Sequence, residues 1–75
     1  MTEEFSFEFA GEHNVISEGK NGWKLELNKI SWNGRDPKYD IRSWSEDHKK
    51  MGKGITLTDD ELKSLKNLLN QIELG

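Results

Sequence analysis

The chain has 75 residues, a net charge of −3 and no cysteine. This length allows one small domain, assigned to residues 1–75, and the lack of cysteine excludes disulfides and Cys-based metal sites. Leu, Ile, Val and Phe supply only 17 residues, so we expect association with a second copy to bury additional area. No apolar run approaches the about 20 residues that span a bilayer. The acidic N-terminus is not typical of a signal peptide, and we expect a cytoplasmic protein with no membrane partner.

Positive charge is concentrated in the middle of the chain. The net charge is −5 over residues 1–19, +4 over residues 20–53 and −2 over residues 54–75. The basic segment also contains all three tryptophans, which are Trp23, Trp32 and Trp44. Basic residues interleaved with aromatic residues can follow a phosphate backbone and stack on its bases. On composition alone, a solvated sheet face with tryptophans in the core is the more frequent alternative.

Alternating hydrophobicity predicts strands in the first half of the chain. Every second residue of 5–9 is phenylalanine, which indicates a strand with one solvated face. Gly11 is expected to interrupt this strand before Val15 resumes it. Apolar alternation over residues 23–27 predicts a second strand.

The parity of this second strand changes along its length, because the next apolar residues are Ile30 and Trp32. A bulge near Asn28 would return both side chains to the core face. Without a bulge, both point outward, away from the core face. The sequence leaves both arrangements open.

A third strand is predicted over residues 39–44, after a hairpin turn at Asn33-Gly34. Alternation places Ile41 on one face and both Arg42 and Trp44 on the other. If Ile41 faces the core, Trp44 is exposed beside basic residues. A large exposed aromatic residue in that position indicates a binding surface.

The C-terminal third predicts a loop over 45–53, a short fourth strand over 54–57 and a helix. Thr58 and Glu61 have the spacing of a capping box. The apolar stripe of the helix is wider than coverage of one small sheet requires, which favours a symmetric dimer with the helices at the interface. The residues expected at that interface are Leu62, Leu65, Leu68, Leu69 and Ile72.

Residue patterns typical of enzymes or metal sites are not recognised in the sequence. His13 and His48 are 35 residues apart, and the spacing predicts two separate surface histidines, not metal ligands. The serines lack a nucleophile motif, and Gly19–Gly22 is too short for a phosphate-binding loop. We therefore expect a non-enzymatic protein without metal or cofactor.

Two blocks of the sequence carry a family resemblance. The first is Asp40-Ile41-Arg42 followed by Trp44, and the second is KMGKGITLTDDELKSL at residues 50–65. In order and spacing they resemble the core domain of the positive-cofactor-four family of transcriptional coactivators, in a small bacterial form. This resemblance implies an α+β fold, in which a curved four-stranded antiparallel sheet is followed by one C-terminal helix and two chains dimerise largely through the helices.

The resemblance also implies binding of single-stranded DNA with little sequence specificity, in transcription or DNA maintenance. By analogy, Arg42 contacts phosphate, Trp44 stacks on a base and Lys53 contacts the backbone. Together with the basic segment, this gives eight expected nucleic-acid-binding residues, which are Lys24, Trp32, Arg35, Lys38, Arg42, Trp44, Lys50 and Lys53. The alternatives are a small RNA-binding regulator and a protein-interaction module.

Overall fold

The computed structural model describes residues 6–74, so Phe5 of the predicted first strand lies outside the described residues. The described residues form an antiparallel sheet followed by one C-terminal helix, as predicted. The strands are β1 (Phe7–Phe9), β2 (Asn14–Glu18), β3 (Lys24–Trp32), β4 (Lys38–Trp44) and β5 (Met51–Leu57), and the helix is α1 (Asp59–Gln71). A 3₁₀ turn at Lys20–Gly22 connects β2 to β3. The described part of the chain contains no helix long and apolar enough to cross a bilayer.

The first two strands are the halves of one interrupted edge strand. The sheet order is β1-β3-β4-β5, and β2 also pairs with β3. Phe9 pairs with Ile30 near the end of β3, whereas Val15 pairs with Glu26 nearer its start. Between the halves, Gly11 has a φ of +97°, a conformation that a residue without a Cβ adopts readily. The predicted interruption at Gly11 is therefore confirmed.

The turn between β3 and β4 is also confirmed at Asn33-Gly34. Both residues have positive φ, 51° and 74°, as a type I′ hairpin turn requires. The backbone N–H of Arg35 donates to the carbonyl of Trp32 at 3.0 Å and closes the turn.

The structure decides the parity of β3. Its register with β4 is continuous from the pair Lys24–Trp44 to the pair Ile30–Lys38, so no bulge returns Ile30 to the side of Leu27. We call the side that carries Ile30, Trp32 and Trp44 the tryptophan face and the side that carries Leu27 and Ile41 the helix face. Ile30 is completely buried, so the part of the tryptophan face around it is interior.

Trp44 is the centre of this interior, and the expectation that it is exposed is wrong. Its side chain is 0% exposed, because Phe7 and Phe9 of β1 point to the same face and cover it. The ring centroids of Phe7 and Phe9 lie 5.2 and 4.9 Å from that of Trp44. The predicted alternation of β4, with Ile41 on one face of the sheet and Trp44 on the other, is correct. The assumption that only the face carrying Ile41 is covered by other residues is wrong.

The helix begins with the predicted capping box and packs only lightly on the sheet. The Glu61 N–H donates to the Thr58 hydroxyl at 3.1 Å, and the Thr58 N–H donates to the Glu61 carboxylate at 2.9 Å. No residue of α1 is fully buried. Ile72, expected on the helical stripe, is the extended C-cap residue that follows the last turn.

An open apolar groove of about 490 Å³ lies between α1 and the helix face. Its apolar lining is shared by the helix and by three strands and consists of Ile16, Leu27, Ile41, Leu62, Leu65 and Leu69. Two side chains of this lining, Ile16 and Leu69, are about half exposed. The same holds for three further apolar side chains, which are Ile55, Leu68 and Ile72. One helix does not cover this side of the sheet.

The fourth predicted strand begins earlier than expected, at Met51 instead of Gly54. Met51 pairs with Trp44, and the register shifts by one residue between this pair and the pair Arg42–Gly54. The shift is a bulge in β5 that the glycines accommodate. A Cβ at Gly54 would collide with the Arg42 Cβ and the Ile41 carbonyl oxygen, so β5 approaches β4 too closely for a larger residue.

Replacement of Trp44 tests the corrected core. We expect Trp44→Ala to lower the free energy of unfolding by about 3–5 kcal/mol, because it leaves a large cavity beneath Phe7 and Phe9. Urea denaturation at fixed protein concentration measures the change. Trp23→Ala, at a half-buried tryptophan, is the matched control with a smaller expected loss. A Trp44→Ala chain as stable as wild type would contradict the buried position.

Candidate nucleic-acid interface

Strand register places five of the eight expected nucleic-acid-binding residues on the tryptophan face. The continuous register pairs even-numbered residues of β3 with even-numbered residues of β4, so their side chains lie on the same face. The five are Lys24 and Trp32 of β3 and Lys38, Arg42 and Trp44 of β4. The predicted grouping on β3 and β4 is therefore present. Their environments differ widely, however, and Trp44 is removed from the surface altogether.

Arg42 is held in place by a buried carboxylate. Its Nε and Nη2 donate to the two oxygens of Asp40 at 2.7 and 2.9 Å, and its Nη1 lies 3.2 Å from the Met51 Sδ. Asp40 is completely buried and also accepts from the Thr56 hydroxyl at 2.9 Å. The Arg42 side chain remains 16% exposed. The guanidinium is thus oriented, and Asp40 offsets much of its charge.

Trp32 is the half-buried tryptophan of this face. The Arg42 guanidinium carbon lies 4.9 Å from the centroid of the Trp32 ring, within cation–π range. Phe7 contacts the same ring at a centroid distance of 5.7 Å. The sheet therefore presents one partly accessible indole beside an oriented guanidinium, in place of the expected pair of Trp44 and Arg42.

The other expected cations surround this face or lie on its connections. Lys24 is half-buried, and the remaining four are exposed, which are Arg35, Lys38, Lys50 and Lys53. Within residues 6–74, none of these five forms a salt bridge. Arg35 follows the β3–β4 turn, Lys50 precedes β5 and Lys53 lies in its bulge. Their charges are free to meet an anionic ligand.

A second group of polar residues on the tryptophan face was not predicted. Glu26 and Asn28 of β3 are each 1% exposed, and the Asn28 Nδ2 donates to the Glu26 Oε1 at 2.8 Å. His48 Nε2 lies 3.0 Å from both Glu26 oxygens, and His13 Nδ1 lies 3.4 Å from one of them. The two histidines, expected to be separate, stack at a centroid distance of 4.2 Å.

The environment of Glu26 has opposing effects on its pKa. Burial raises the pKa, but hydrogen bonds from Asn28 and His48, together with positive charge on His48 and His13, outweigh burial and lower it from its ordinary value of 4.5. The one signal for this group is parity, because Glu26 and Asn28 alternate onto the same side of β3 as Ile30. The expectation that this side of a bulge-free β3 points outward is wrong, since all three residues are buried.

Comparisons with known proteins agree with the fold. The family model described as Transcriptional Coactivator p15 (PC4) matches residues 20–68, from the turn before β3 through most of α1. An uncharacterized protein of Treponema pallidum (strain Nichols) is 50% identical over 74 residues, which are 99% of this chain and 87% of that protein.

The lowered pKa of Glu26 predicts how stability depends on pH. Because the folded-state pKa lies below the ordinary value of 4.5, the stabilising contribution is fully present above about pH 4.5 and is lost as pH falls through the lowered pKa. We expect Glu26→Gln to be less stable than wild type near neutrality and to lose less stability between neutral pH and acid. Urea denaturation across this pH range measures both effects.

Asp47→Asn is the control for this experiment. Hydrogen bonds from the Lys49 N–H and the Ser45 hydroxyl also lower the pKa of Asp47, but its carboxylate is fully exposed, so water screens its contribution. An equal response of the two variants would show that burial of Glu26 has no special role.

Proposed function

Because the chain belongs to the transcriptional coactivator p15 (PC4) family, a family of non-enzymatic domains that bind single-stranded DNA, we propose that it binds single-stranded DNA as a homodimer, with little sequence preference. The observation that carries the proposal is an overlap. The matched region, residues 20–68, contains the whole segment of net charge +4, residues 20–53. We propose a role in transcription or DNA maintenance in the cytoplasm.

Exposed cations and Trp32 support a binding mode independent of base sequence. Unpaired lysines and Arg35 can neutralise phosphates, while the partly accessible indole can stack on any base. The overall charge of −3 does not prevent this, because the field near the basic segment is set by local charges. Trp44 has no part in this binding mode, since Phe7 and Phe9 cover its ring.

Titration of a labelled oligo-dT tests the binding. At low salt, a single strand of about twenty nucleotides is expected to bind with micromolar or tighter affinity. The affinity should fall with salt, at a logarithmic slope of about 0.7 for each phosphate contacted. Trp32→Ala should cost about 1–3 kcal/mol of binding through lost stacking, and Lys38→Ala should reduce the salt slope.

Two controls belong to this titration. Lys63→Ala, on the exposed side of α1, should bind like wild type, and a matched RNA strand separates DNA binding from RNA binding. Circular dichroism checks that each variant is folded. Absence of binding to DNA at low salt would contradict the proposed function and favour a protein partner.

The incompletely covered helix face supports the dimer. The groove beneath α1 has an open apolar lining, and Leu68 and Ile72 at this end of the chain are also about half exposed. A small domain gains buried area by pairing such apolar surfaces. A second copy would supply the apolar contacts that the light packing of α1 leaves unmade. We propose that α1 lies at this interface, with Leu62, Leu65, Leu68, Leu69 and Ile72 contributing to it.

Leu69→Glu tests the dimer without disturbing the monomer core, because Leu69 is 47% exposed within one chain. We expect wild type to be dimeric and this variant to be monomeric, since a charge would be buried in the interface. Sedimentation equilibrium measures the mass. Asn67→Glu is the matched control, because helical periodicity places Asn67 on the opposite side of α1. A dimeric Leu69→Glu chain would place the interface elsewhere.

A further inference from the structure

Two histidines and one glutamate converge on the tryptophan face. His13, from the connection between β1 and β2, and His48, from the turn between β4 and β5, both approach Glu26 in the middle of β3. One ligand-type atom from each of the three side chains lies within 4.8 Å of the others. Three segments of the chain that are distant in sequence therefore meet at a single carboxylate.

The distances within this group suit a small divalent cation. Glu26 oxygens lie 3.0 Å from His48 Nε2 and 3.4 Å from His13 Nδ1. In a tetrahedral zinc site with bonds of about 2.1 Å, neighbouring ligand atoms are separated by about 3.4 Å. Two of the three distances between donor atoms thus lie close to the spacing that coordination requires, and the third is within 4.8 Å. Imidazole nitrogen and carboxylate oxygen are also ligands that zinc accepts.

The charges around Glu26 also favour a bound cation. Arg42 is its cross-strand neighbour on β4, but the guanidinium is bound to Asp40. In the described part of the chain, Glu26 forms salt-bridge contacts only with the two histidines. A carboxylate that is 1% exposed therefore has two imidazoles, and no lysine or arginine, as its ion-pair partners within residues 6–74. A cation held between these groups would offset its charge directly.

The surroundings resemble the shell that supports a metal ligand. Asn28 donates to the Glu26 carboxylate, which fixes the orientation of its oxygens. The Phe9 ring contacts the rings of His13 and His48 at centroid distances of 4.4 and 5.5 Å and forms an apolar wall. Ligand orientation and limited access to water are both provided by the fold.

The histidine rings require one adjustment. They stack with an interplanar angle of 13°, so their nitrogen lone pairs run nearly parallel, and one ring must tilt for both to point at one ion. His13 is suited to this, because its side chain is 38% exposed and belongs to an irregular connection. The same exposure gives an ion a route into the group.

We propose that His13, Glu26 and His48 form a binding site for a divalent transition metal ion of the zinc type, with water completing the coordination. The ion takes the place of the hydrogen bond between His48 Nε2 and Glu26, so metal and protons compete for these atoms. Binding joins the β1–β2 connection to the β4–β5 turn and fixes Phe9 over Trp44. The proposal is independent of nucleic-acid binding.

Metal titration of the full-length chain, after treatment with a chelator, tests the proposal. We expect one Zn²⁺ per chain by isothermal titration calorimetry. At a hundredfold excess over the dissociation constant, the midpoint of thermal unfolding should rise by roughly 10–20 °C. Co²⁺ should give the visible absorption of a tetrahedral site. Absence of stoichiometric binding of either ion would overturn the proposal.

Variants show whether the binding occurs at this site. The chain has only two histidines, and His13→Ala removes the exposed one with little risk to folding. Loss of an outer-shell partner alone weakens metal sites about 10–100-fold, so loss of His13 or His48 should weaken binding by at least this much. Glu46→Gln, at an exposed acid near His48, should bind like wild type. Unchanged affinity in folded His13→Ala would overturn the three-ligand site.

Discussion

The packing of β1 across Trp44 is the interaction on which the rest of the structure depends. β3 and β4 place Ile30 and Trp44 on the side of the sheet away from α1, where the helix provides no cover. Phe7 and Phe9 provide it, because β1 pairs with the far end of β3 and directs both rings to that side. The N-terminal strand is therefore part of the core.

This cover determines which groups remain for a ligand. Where the Phe rings close the face, the buried side chains are Trp44, Ile30, Glu26, Asn28 and Asp40. Asp40 and Glu26 lie within the segment that has the highest positive charge, yet neither faces solvent. Asp40 is instead paired with Arg42, and Glu26 contacts the two histidines. The exposed charges of the basic segment are consequently dominated by lysines and Arg35.

Local patterns account for the parts of the fold that were predicted from sequence. The Asn33-Gly34 turn, the interruption at Gly11 and the Thr58–Glu61 capping box each depend on residues within a few positions. Alternation also assigned Arg42 and Trp44 correctly to one face. The family resemblance, drawn from residues 39–65, agrees with the matched region and with the sheet followed by a helix.

The errors share a non-local cause. Whether Trp44 is exposed depends on where β1 lies, and the two residues that cover it are more than 30 positions away. The meeting of His13 and His48 likewise requires the register of β2 with β3 and the return of the β4–β5 turn. The early start of β5 at Met51 depends on a bulge opposite Trp44. Residue spacing along the chain contains none of this information.

The two sides of the sheet are completed in different ways, and this difference connects stability to the proposed assembly. On the tryptophan face, aromatic rings of the same chain exclude water from Trp44. On the helix face, α1 buries none of its residues fully, and Leu68 and Leu69 remain about half exposed. A chain of this size has no further segment within residues 6–74 to cover that side. In the proposed dimer a second copy provides additional burial there, so the stability of the chain and the strength of the proposed association would depend on the same apolar surface.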